Sequence, residues 1–363
     1  MKLFGLSNAA SITVLVFICL GAVCVAVAVL VFLRWRYVRN RDRLLQRRDE
    51  EEQYLLARER SIREREYSMQ PDTHRSAVGL IPIGDLQLGD QLGTGGFGTV
   101  YLARWRGARV AVKRFRDTND FEKELHSLMY LRHPHIVQYL GGVVDNGVNY
   151  IVTEYMEGGS LMDYMNDKES QSLEQSLRIA LNIAMGVNYL HWSHKPPLIH
   201  ADLKPENILL TKERVAKLAD FGNTMEQKTG TMNGLHGTAP FLAPEQFHPV
   251  YTAPNRTTDV YSLGFILFML FLHQPPHPIE PPEGEVKDKR EYYDWLRKQK
   301  RNEPTIPPKI KLSADGSFGK RTYPRSFVMM ILNCLQTDPR QRYLSSQVCR
   351  ILQQFLDRVY AQQ

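Results

Sequence analysis

Hydrophobic and polar positions divide the chain into an apolar segment, a charged segment and a long mixed region. Residues 9–33 contain no charged side chain and are rich in Val, Leu, Ile, Phe and Ala. Residues 34–67 are almost continuously polar and carry many good helix formers, until Pro71 ends the pattern. Sustained heptads are absent from this charged segment, so a solvated helix is predicted there rather than a coiled coil. Residues 68–84 are predicted to form a linker.

The region after residue 85 predicts a small β-rich part followed by a larger, mainly helical part. Short strand-like segments come first, and the helical period dominates after about residue 160. The predicted strands are residues 86–92, 99–105, 109–115, 137–144 and 149–154, and the predicted helices include residues 120–131, 175–191 and 258–271. The Pro-rich run 274–282 is predicted to be an exposed connection. Its Pro278 and Pro281 have the P-x-x-P spacing that SH3-type modules bind, although an ordinary loop is the favoured interpretation.

The apolar segment predicts a membrane anchor. As a helix, residues 9–33 would extend about 37 Å, slightly more than the ~30 Å hydrocarbon core. The Arg-rich block behind this segment places its C-terminal side in the cytosol and residues 1–8 on the other side. A cleaved signal peptide is the alternative, since Ala26-Val27-Ala28 resembles a cleavage site, but the length of the run favours an anchor. Ala22 and Ala26 have the small-x-x-x-small spacing that supports helix pairing, hence dimerisation.

Charge and cysteine content exclude several other classes of protein. Residues 34–48 contain seven Arg and one Asp, which with Lys2 account for the whole net charge of +7. Because this charge is a short block beside an apolar run, we expect it to lie at a lipid surface and expect no nucleic-acid binding. The four cysteines lack C-x-x-C spacing, so neither a zinc site nor a disulfide framework is expected.

Two motifs in the β-rich part point to phosphate binding. The stretch 93–100 has the pattern G-x-G-x-x-G-x-V, and a strand follows it rather than the helix that follows the glycines of dinucleotide-binding folds. A β-hairpin covering a nucleotide is therefore predicted. Lys113 lies in the apolar strand after this hairpin, where burial without a partner would be costly. Phosphates and a carboxylate of the next helix are its expected partners, with Glu124 preferred to Glu122 on the helical period.

Later motifs carry a resemblance to a known family. The stretch 198–207 reads LIHADLKPEN, Asp220-Phe221-Gly222 follows, and then comes Ala243-Pro244-Glu245. With the glycine-rich hairpin and Lys113, these motifs occur in the order typical of eukaryotic protein kinases. Residues 86–357 therefore resemble a protein kinase domain, with residues 34–85 before it and residues 358–363 as a tail. The resemblance implies an α+β bilobal fold with a small β-rich N-lobe and a larger helical C-lobe, besides the N-terminal transmembrane helix.

The resemblance also implies the roles of individual residues. Asp202 would accept or orient the proton of the substrate hydroxyl, Lys204 would neutralise the transferred phosphate, and Asn207 and Asp220 would hold Mg²⁺. Lys113 would hold the ATP phosphates and pair with Glu124, whereas His200 is expected to be a packing residue. The implied ATP-binding residues are Leu92, Gly93, Thr94, Gly95, Gly96, Phe97, Gly98, Val100, Ala111, Lys113, Thr153, Glu154, Tyr155 and Met156.

The stretch 202–207, DLKPEN, resembles the catalytic loop of serine/threonine kinases rather than that of tyrosine kinases, and Thr238 is placed to contact Asp202 and Lys204. The resemblance therefore implies serine/threonine specificity. Trp105-Arg106-Gly107 and the segment 153–161 resemble the tyrosine-kinase-like branch of serine/threonine kinases. We therefore expect a membrane-anchored kinase that phosphorylates Ser and Thr of protein substrates, using ATP and Mg²⁺. A nucleotide-binding scaffold without turnover, a dual-specificity or tyrosine kinase, and a receptor with an extracellular ligand remain alternatives.

Ala201 departs from the family pattern. The family usually has an Arg between the catalytic-loop His and Asp, and that Arg pairs with a phosphorylated residue of the activation loop. We therefore expect activity to depend less on phosphorylation of that loop, although Thr224, Thr229 and Thr231 are available. Near the C-terminus, Arg342 is expected to form a structural pair with Glu245.

Overall fold

The computed structural model describes residues 80–96, 98–167, 172–227, 236–247, 253–277, 279–281, 288–300, 311–313 and 322–361. The proposed membrane segment, residues 9–33, and the charged segment behind it lie outside these residues, so both stay predictions. Within the described ranges, no helix combines the length and the apolar character needed to cross a bilayer.

The N-terminal lobe is built on an antiparallel sheet of five strands in the order β1-β2-β3-β5-β4. Its strands are β1 (Leu86–Gly95), β2 (Gly98–Trp105), β3 (Ala108–Phe115), β4 (Tyr139–Asp145) and β5 (Val148–Glu154). Helix α1 (Thr118–Leu128) lies between β3 and β4, and its N-cap Asp117 accepts hydrogen bonds from the backbone amides of Asn119 and Asp120. One face of α1, formed by Phe121, Glu124 and Leu128, is buried, which directs a carboxylate inward.

The C-terminal lobe is mainly helical. Its described helices are α2 (Leu161–Asn166), α3 (Leu173–Trp192), α4 (Arg256–Leu272), α5 (Lys289–Gln299), α6 (Arg325–Cys334) and α7 (Ser345–Ala361). Helix α4 is buried over nearly its whole length, as expected for an apolar helix at the centre of a lobe. Three pairs of short strands complete the lobe: β6 (Leu198–Ile199) with β9 (Met225–Glu226), β7 (Ile208–Leu210) with β8 (Ala216–Leu218), and β10 (Lys311–Ser313) with β11 (Thr322–Pro324).

The two-lobed architecture agrees with the fold class expected from the sequence, but most element boundaries differ by one to three residues, and two of these differences have a clear physical reason. Helix α1 ends at Leu128 rather than at residue 131, because Pro134 in the following turn is incompatible with a continuing helix. Strand β4 begins at Tyr139 rather than at residue 137, because the amide of Val137 donates to Leu218 O of the C-terminal lobe at 2.9 Å.

The linker prediction is wrong for residues 80–84. Leu80 forms a parallel bridge with Gly142 at the β4 edge, and the amide of Ile81 donates to Gly142 O at 2.9 Å. Ile81 is buried in the same apolar cluster as Val110 and Val143. The ordered N-lobe therefore begins before residue 86, because these apolar side chains cover the interior of the sheet.

The prediction that residues 274–282 form an exposed connection is also wrong in part. Pro276 and His277 are buried, while Gln274 and Glu280 are exposed. Burial, together with the positive charge of Lys300, lowers the pKa of His277 to about 4. Pro278 lies outside the described residues and Pro281 is half-buried, so SH3 binding at this spacing stays a prediction.

Candidate active site

The glycine-rich hairpin is the turn between β1 and β2. Gly93 pairs with Val100, Thr94 with Thr99, and Gly95 with Gly98. A side chain at position 98 would overlap the backbone carbonyl of Arg114, so close packing of β2 on β3 requires glycine there. Of the other implied nucleotide contacts on this hairpin, Leu92 is exposed, Gly96 is in the turn and Phe97 lies outside the described residues.

Lys113 joins three elements at the base of this hairpin. Strand β2 places Val100 beside Lys113, whose ammonium donates to Glu124 Oε2 at 2.6 Å and to Asp220 Oδ1 at 2.7 Å. Glu124 projects from the buried face of α1, whereas Glu122, the alternative partner, is exposed. The lysine thus contacts a carboxylate from each lobe.

The electrostatics of this triad follow from one ammonium between two carboxylates. Burial alone would lower the pKa of Lys113, but Glu124 and Asp220 outweigh it and raise that pKa. For Asp220, burial would raise the pKa, but the positive charges nearby, with Lys113 first among them, outweigh burial and lower that pKa. Glu124 is the most deeply buried of the three groups, and burial raises its pKa to about 7 in spite of Lys113. Lys113 is therefore held charged.

The Asp202 carboxylate accepts hydrogen bonds from two side chains of its own loop and from Thr238 of a later segment. Its Oδ2 accepts from Lys204 Nζ and from Asn207 Nδ2, both at 3.1 Å, and its Oδ1 accepts from Thr238 Oγ1 at 2.7 Å. Lys204 Nζ also donates to Thr238 Oγ1 at 2.9 Å, which closes a ring of contacts. These bonds fix the orientation of the Asp202 carboxylate, as a general base requires.

Asn207 and Asp220 fit the expected magnesium ligands. The amide nitrogen of Asn207 donates to Asp202 O at 2.9 Å as well as to its carboxylate, which leaves the amide oxygen for a cation. The described residues contain no group of three or more His, Cys, Asp or Glu able to hold a metal ion by themselves. Mg²⁺ commonly takes one or two protein ligands and completes its shell with water and substrate phosphates, so this sparse oxygen donor set suits it.

Asp259 positions the backbone directly before Asp202, a role that the sequence did not predict. It is 1% exposed at the start of α4, and its carboxylate accepts from the amides of His200 and Ala201 at 2.9 and 3.0 Å. Its Oδ2 also lies 3.0 Å from His191 Nε2. An Asp in the first turn of a helix ordinarily only complements the helix dipole, so sequence position alone gave no sign of this role.

His200 and Ala201 are placed by packing and by Asp259. The buried ring of His200 donates from Nε2 to Ala219 O at 3.1 Å and contacts Phe221. Ala201 has a φ of 62°. Gly237, with a φ of 103°, packs so closely on the carbonyl of Ala201 that a side chain at position 237 would overlap this carbonyl. The chain at Gly237 therefore lies directly against the loop that carries Asp202.

The remaining implied ATP-binding residues are Ala111 of β3, Thr153 and Glu154 at the end of β5, and Tyr155 and Met156 directly after it. Thr153 pairs with Ala111 between β5 and β3, and Met156 is buried. Tyr155 lies beneath the guanidinium of Arg109 at 5.5 Å. The Glu154 carboxylate instead binds Lys217 Nζ at 2.7 and 2.8 Å, so its side chain links β5 to β8 rather than facing a nucleotide.

Two further expectations concern Arg342 near the C-terminus and the three threonines after Asp220. Arg342 donates to both carboxylate oxygens of Glu245 at 2.7 Å, the structural pair expected from the sequence. The hydroxyl of Thr224 is buried and makes no hydrogen bond, so it is not open to modification in this conformation. Thr229 and Thr231 lie outside the described residues.

Comparison with known proteins identifies the family of this domain. Residues 86–354 match the protein kinase domain, so the chain belongs to the protein kinase family. The chain is 32% identical over 283 residues to the probable serine/threonine-protein kinase drkB of Dictyostelium discoideum, covering 74% of this chain and 36% of that protein.

Two plant proteins are also similar. The serine/threonine-protein kinase CTR1 of Arabidopsis thaliana is 36% identical over 208 residues, which are 54% of this chain and 25% of that protein. The Arabidopsis thaliana leaf rust 10 disease-resistance locus receptor-like protein kinase-like 2.1 is 32% identical over 278 residues, which are 73% of this chain and 43% of that protein. The chain thus spans less than half the length of these relatives. Membership of the family implies ATP as substrate and Mg²⁺ as cofactor.

We expect Thr238→Ala to lower kcat for phosphate transfer about 10- to 100-fold, because Asp202 and Lys204 each lose a hydrogen bond involving a charged group. ATP affinity should change little, since Thr238 contacts none of the implied ATP-binding residues, and its partner Lys204 is implied to act on the phosphate during its transfer. Steady-state kinetics measure both quantities. Thr238→Ser keeps the hydroxyl and serves as control, and equal kcat for the Ala and Ser variants would contradict the assigned role.

Proposed function

We propose that the protein is a membrane-anchored protein kinase that transfers the γ-phosphate of ATP to serine and threonine hydroxyls of protein substrates. The observation that carries this proposal is the arrangement of Asp202, whose carboxylate is oriented by Lys204, Asn207 and Thr238. An oriented carboxylate beside a cationic side chain has the geometry needed to direct a substrate hydroxyl and to balance charge as the phosphate moves.

Each residue would have a distinct part in the transfer. Lys113, held charged between Glu124 and Asp220, would bind phosphate oxygens of ATP. Asp202 would orient the acceptor hydroxyl and take its proton, and Lys204 would stabilise negative charge on the transferred group. Asp220 and the amide oxygen of Asn207 would hold Mg²⁺, which supplies neutralisation of phosphate charge.

The contact of Lys204 with Thr238 supports serine/threonine specificity. Trp105-Arg106-Gly107 and the segment 153–161 favour the tyrosine-kinase-like branch. The relatives drkB and CTR1 are both named as serine/threonine-protein kinases, which agrees with this specificity. A nucleotide-binding scaffold is the second candidate, and the observation that favours it is Ala201 in place of the usual Arg. The ordered Asp202 cluster favours turnover instead.

Phosphate transfer from Mg·ATP to a general acceptor protein such as casein, with identification of the phosphorylated residue, tests the proposal. We expect the full chain to form phosphoserine or phosphothreonine, and Asp220→Asn or chelation of Mg²⁺ to abolish the transfer. Phosphotyrosine would contradict the specificity, and nucleotide binding without transfer would contradict the activity and favour the scaffold.

Replacing Thr224, Thr229 and Thr231 together with Ala should leave the rate of phosphate transfer within about twofold, because Ala201 stands where the family has the Arg that pairs with a phosphorylated loop residue. A collapse of the rate would contradict the expected independence from loop phosphorylation.

The proposed anchor is residues 9–33, with residues 1–8 outside the cytosol and the kinase domain inside it. Its support is the uncharged apolar run followed by a block of seven Arg within residues 34–48. We expect the full chain to resist carbonate extraction from membranes, with a C-terminal tag open to cytosolic protease and an N-terminal tag protected. A variant lacking residues 9–33 is the control. Extraction of the full chain, or loss of its N-terminal tag by cleavage, would contradict the anchor.

A further inference from the structure

Lys300 is a fully buried lysine directly after helix α5, and it is 1% exposed. Its ammonium donates to Pro240 O at 2.7 Å and to Leu242 O at 2.6 Å. Both carbonyls belong to the segment that follows Thr238, the residue in contact with Asp202. A long, flexible and easily charged side chain is thus used to hold two backbone groups beside the catalytic loop.

The surroundings of Lys300 provide partial compensation for burying a cation. The faces of Tyr261 and Phe265 lie 4.8 and 5.1 Å from Nζ, and that of Phe247 lies 5.8 Å away. Burial lowers the pKa of Lys300 well below its usual range, the negative charge of Glu245 opposes this shift, and the positive charge of Arg342 adds to it. Burying a lysine remains costly even so, and its hydrogen bonds are what offset that cost. The contacts with Pro240 and Leu242 are therefore the main interactions of its polar end.

The segment from Gly237 to Ala243 is held from two sides. On one side Gly237 packs on Ala201 O and Thr238 contacts the catalytic loop. On the other side Lys300 binds two carbonyls, and Ser262 Oγ donates to Phe241 O between them at 2.9 Å. Three consecutive carbonyl oxygens thus accept hydrogen bonds from buried side chains.

We propose that Lys300 is a positioning residue for phosphate transfer, which fixes the segment 239–242 and through it the contact of Thr238 with Asp202. The inference rests on the proposed kinase activity and deepens it, because it connects α5, which supplies no implied catalytic residue, to the orientation of Asp202. Lys300 acts only through the backbone after Thr238, so its contribution exists only while the Thr238 hydroxyl is present.

The test compares Lys300→Met, Thr238→Ala and the double variant in the full chain. Methionine keeps most of the side-chain length and apolar stem but cannot donate hydrogen bonds. Lys298→Met is the matched control, because Lys298 is an exposed lysine two residues earlier. We expect Lys300→Met to lower kcat about tenfold with the KM for ATP unchanged, the control to match the unmodified protein, and the double variant to be no slower than Thr238→Ala.

Several results would overturn the inference. An unchanged kcat in Lys300→Met, or a double variant whose loss is the product of the two single losses, would mean that Lys300 does not act through Thr238. If Lys300→Met fails to bind ATP, Ser262→Ala is compared with Thr238→Ala and with their double variant instead, since it is a milder change. Ser262→Ala must then lower kcat when Thr238 is present and have no further effect when Thr238 is replaced. Unmodified protein that transfers no phosphate would refute the proposed function itself, a result distinct from active protein that is insensitive to these changes.

Discussion

The structure of the site depends on Lys113, whose single positive charge lies between two carboxylates. Glu124 comes from α1 of the N-terminal lobe and Asp220 from the turn after β8, and both lie within hydrogen-bond distance of Lys113 Nζ. Without the lysine, these two acidic groups would face each other in a largely buried place, where like charges repel strongly. The contact therefore fixes β3, α1 and the Asp220 turn relative to one another, and the glycine-rich hairpin follows because β2 pairs with β3 residue by residue.

A second constraint comes from helix α4. Asp259 and Ser262 are three residues apart and so lie on one face of the helix. Asp259 accepts from the amides of His200 and Ala201, and Ser262 donates to Phe241 O. A single buried helix thus holds both the loop that carries Asp202 and the segment that carries Thr238, and rigid elements are what a precise catalytic geometry needs.

Much of the fold and of the site could be predicted because the relevant residues are adjacent in sequence or follow a strong period. Glu124 was preferred to Glu122 on the helical period, and Glu124 is the one that contacts Lys113. The role of Asp259 could not be predicted, because its partners are about 58 residues away along the chain. Lys300 was missed for the same reason, since a lysine at the end of a polar helix ordinarily reaches solvent. The burial of Ile81 and of His277 likewise depends on tertiary packing rather than on local pattern.

The most direct test of this account is a double-mutant cycle on Mg·ATP affinity, measured by titration calorimetry with Lys113→Met, Glu124→Gln and the double variant. If Glu124 acts by holding Lys113 in place, Glu124→Gln weakens ATP binding and the double variant binds no more weakly than Lys113→Met alone. Losses of affinity that multiply in the double variant would mean that the two residues act independently, and would contradict the claim that the site depends on their contact.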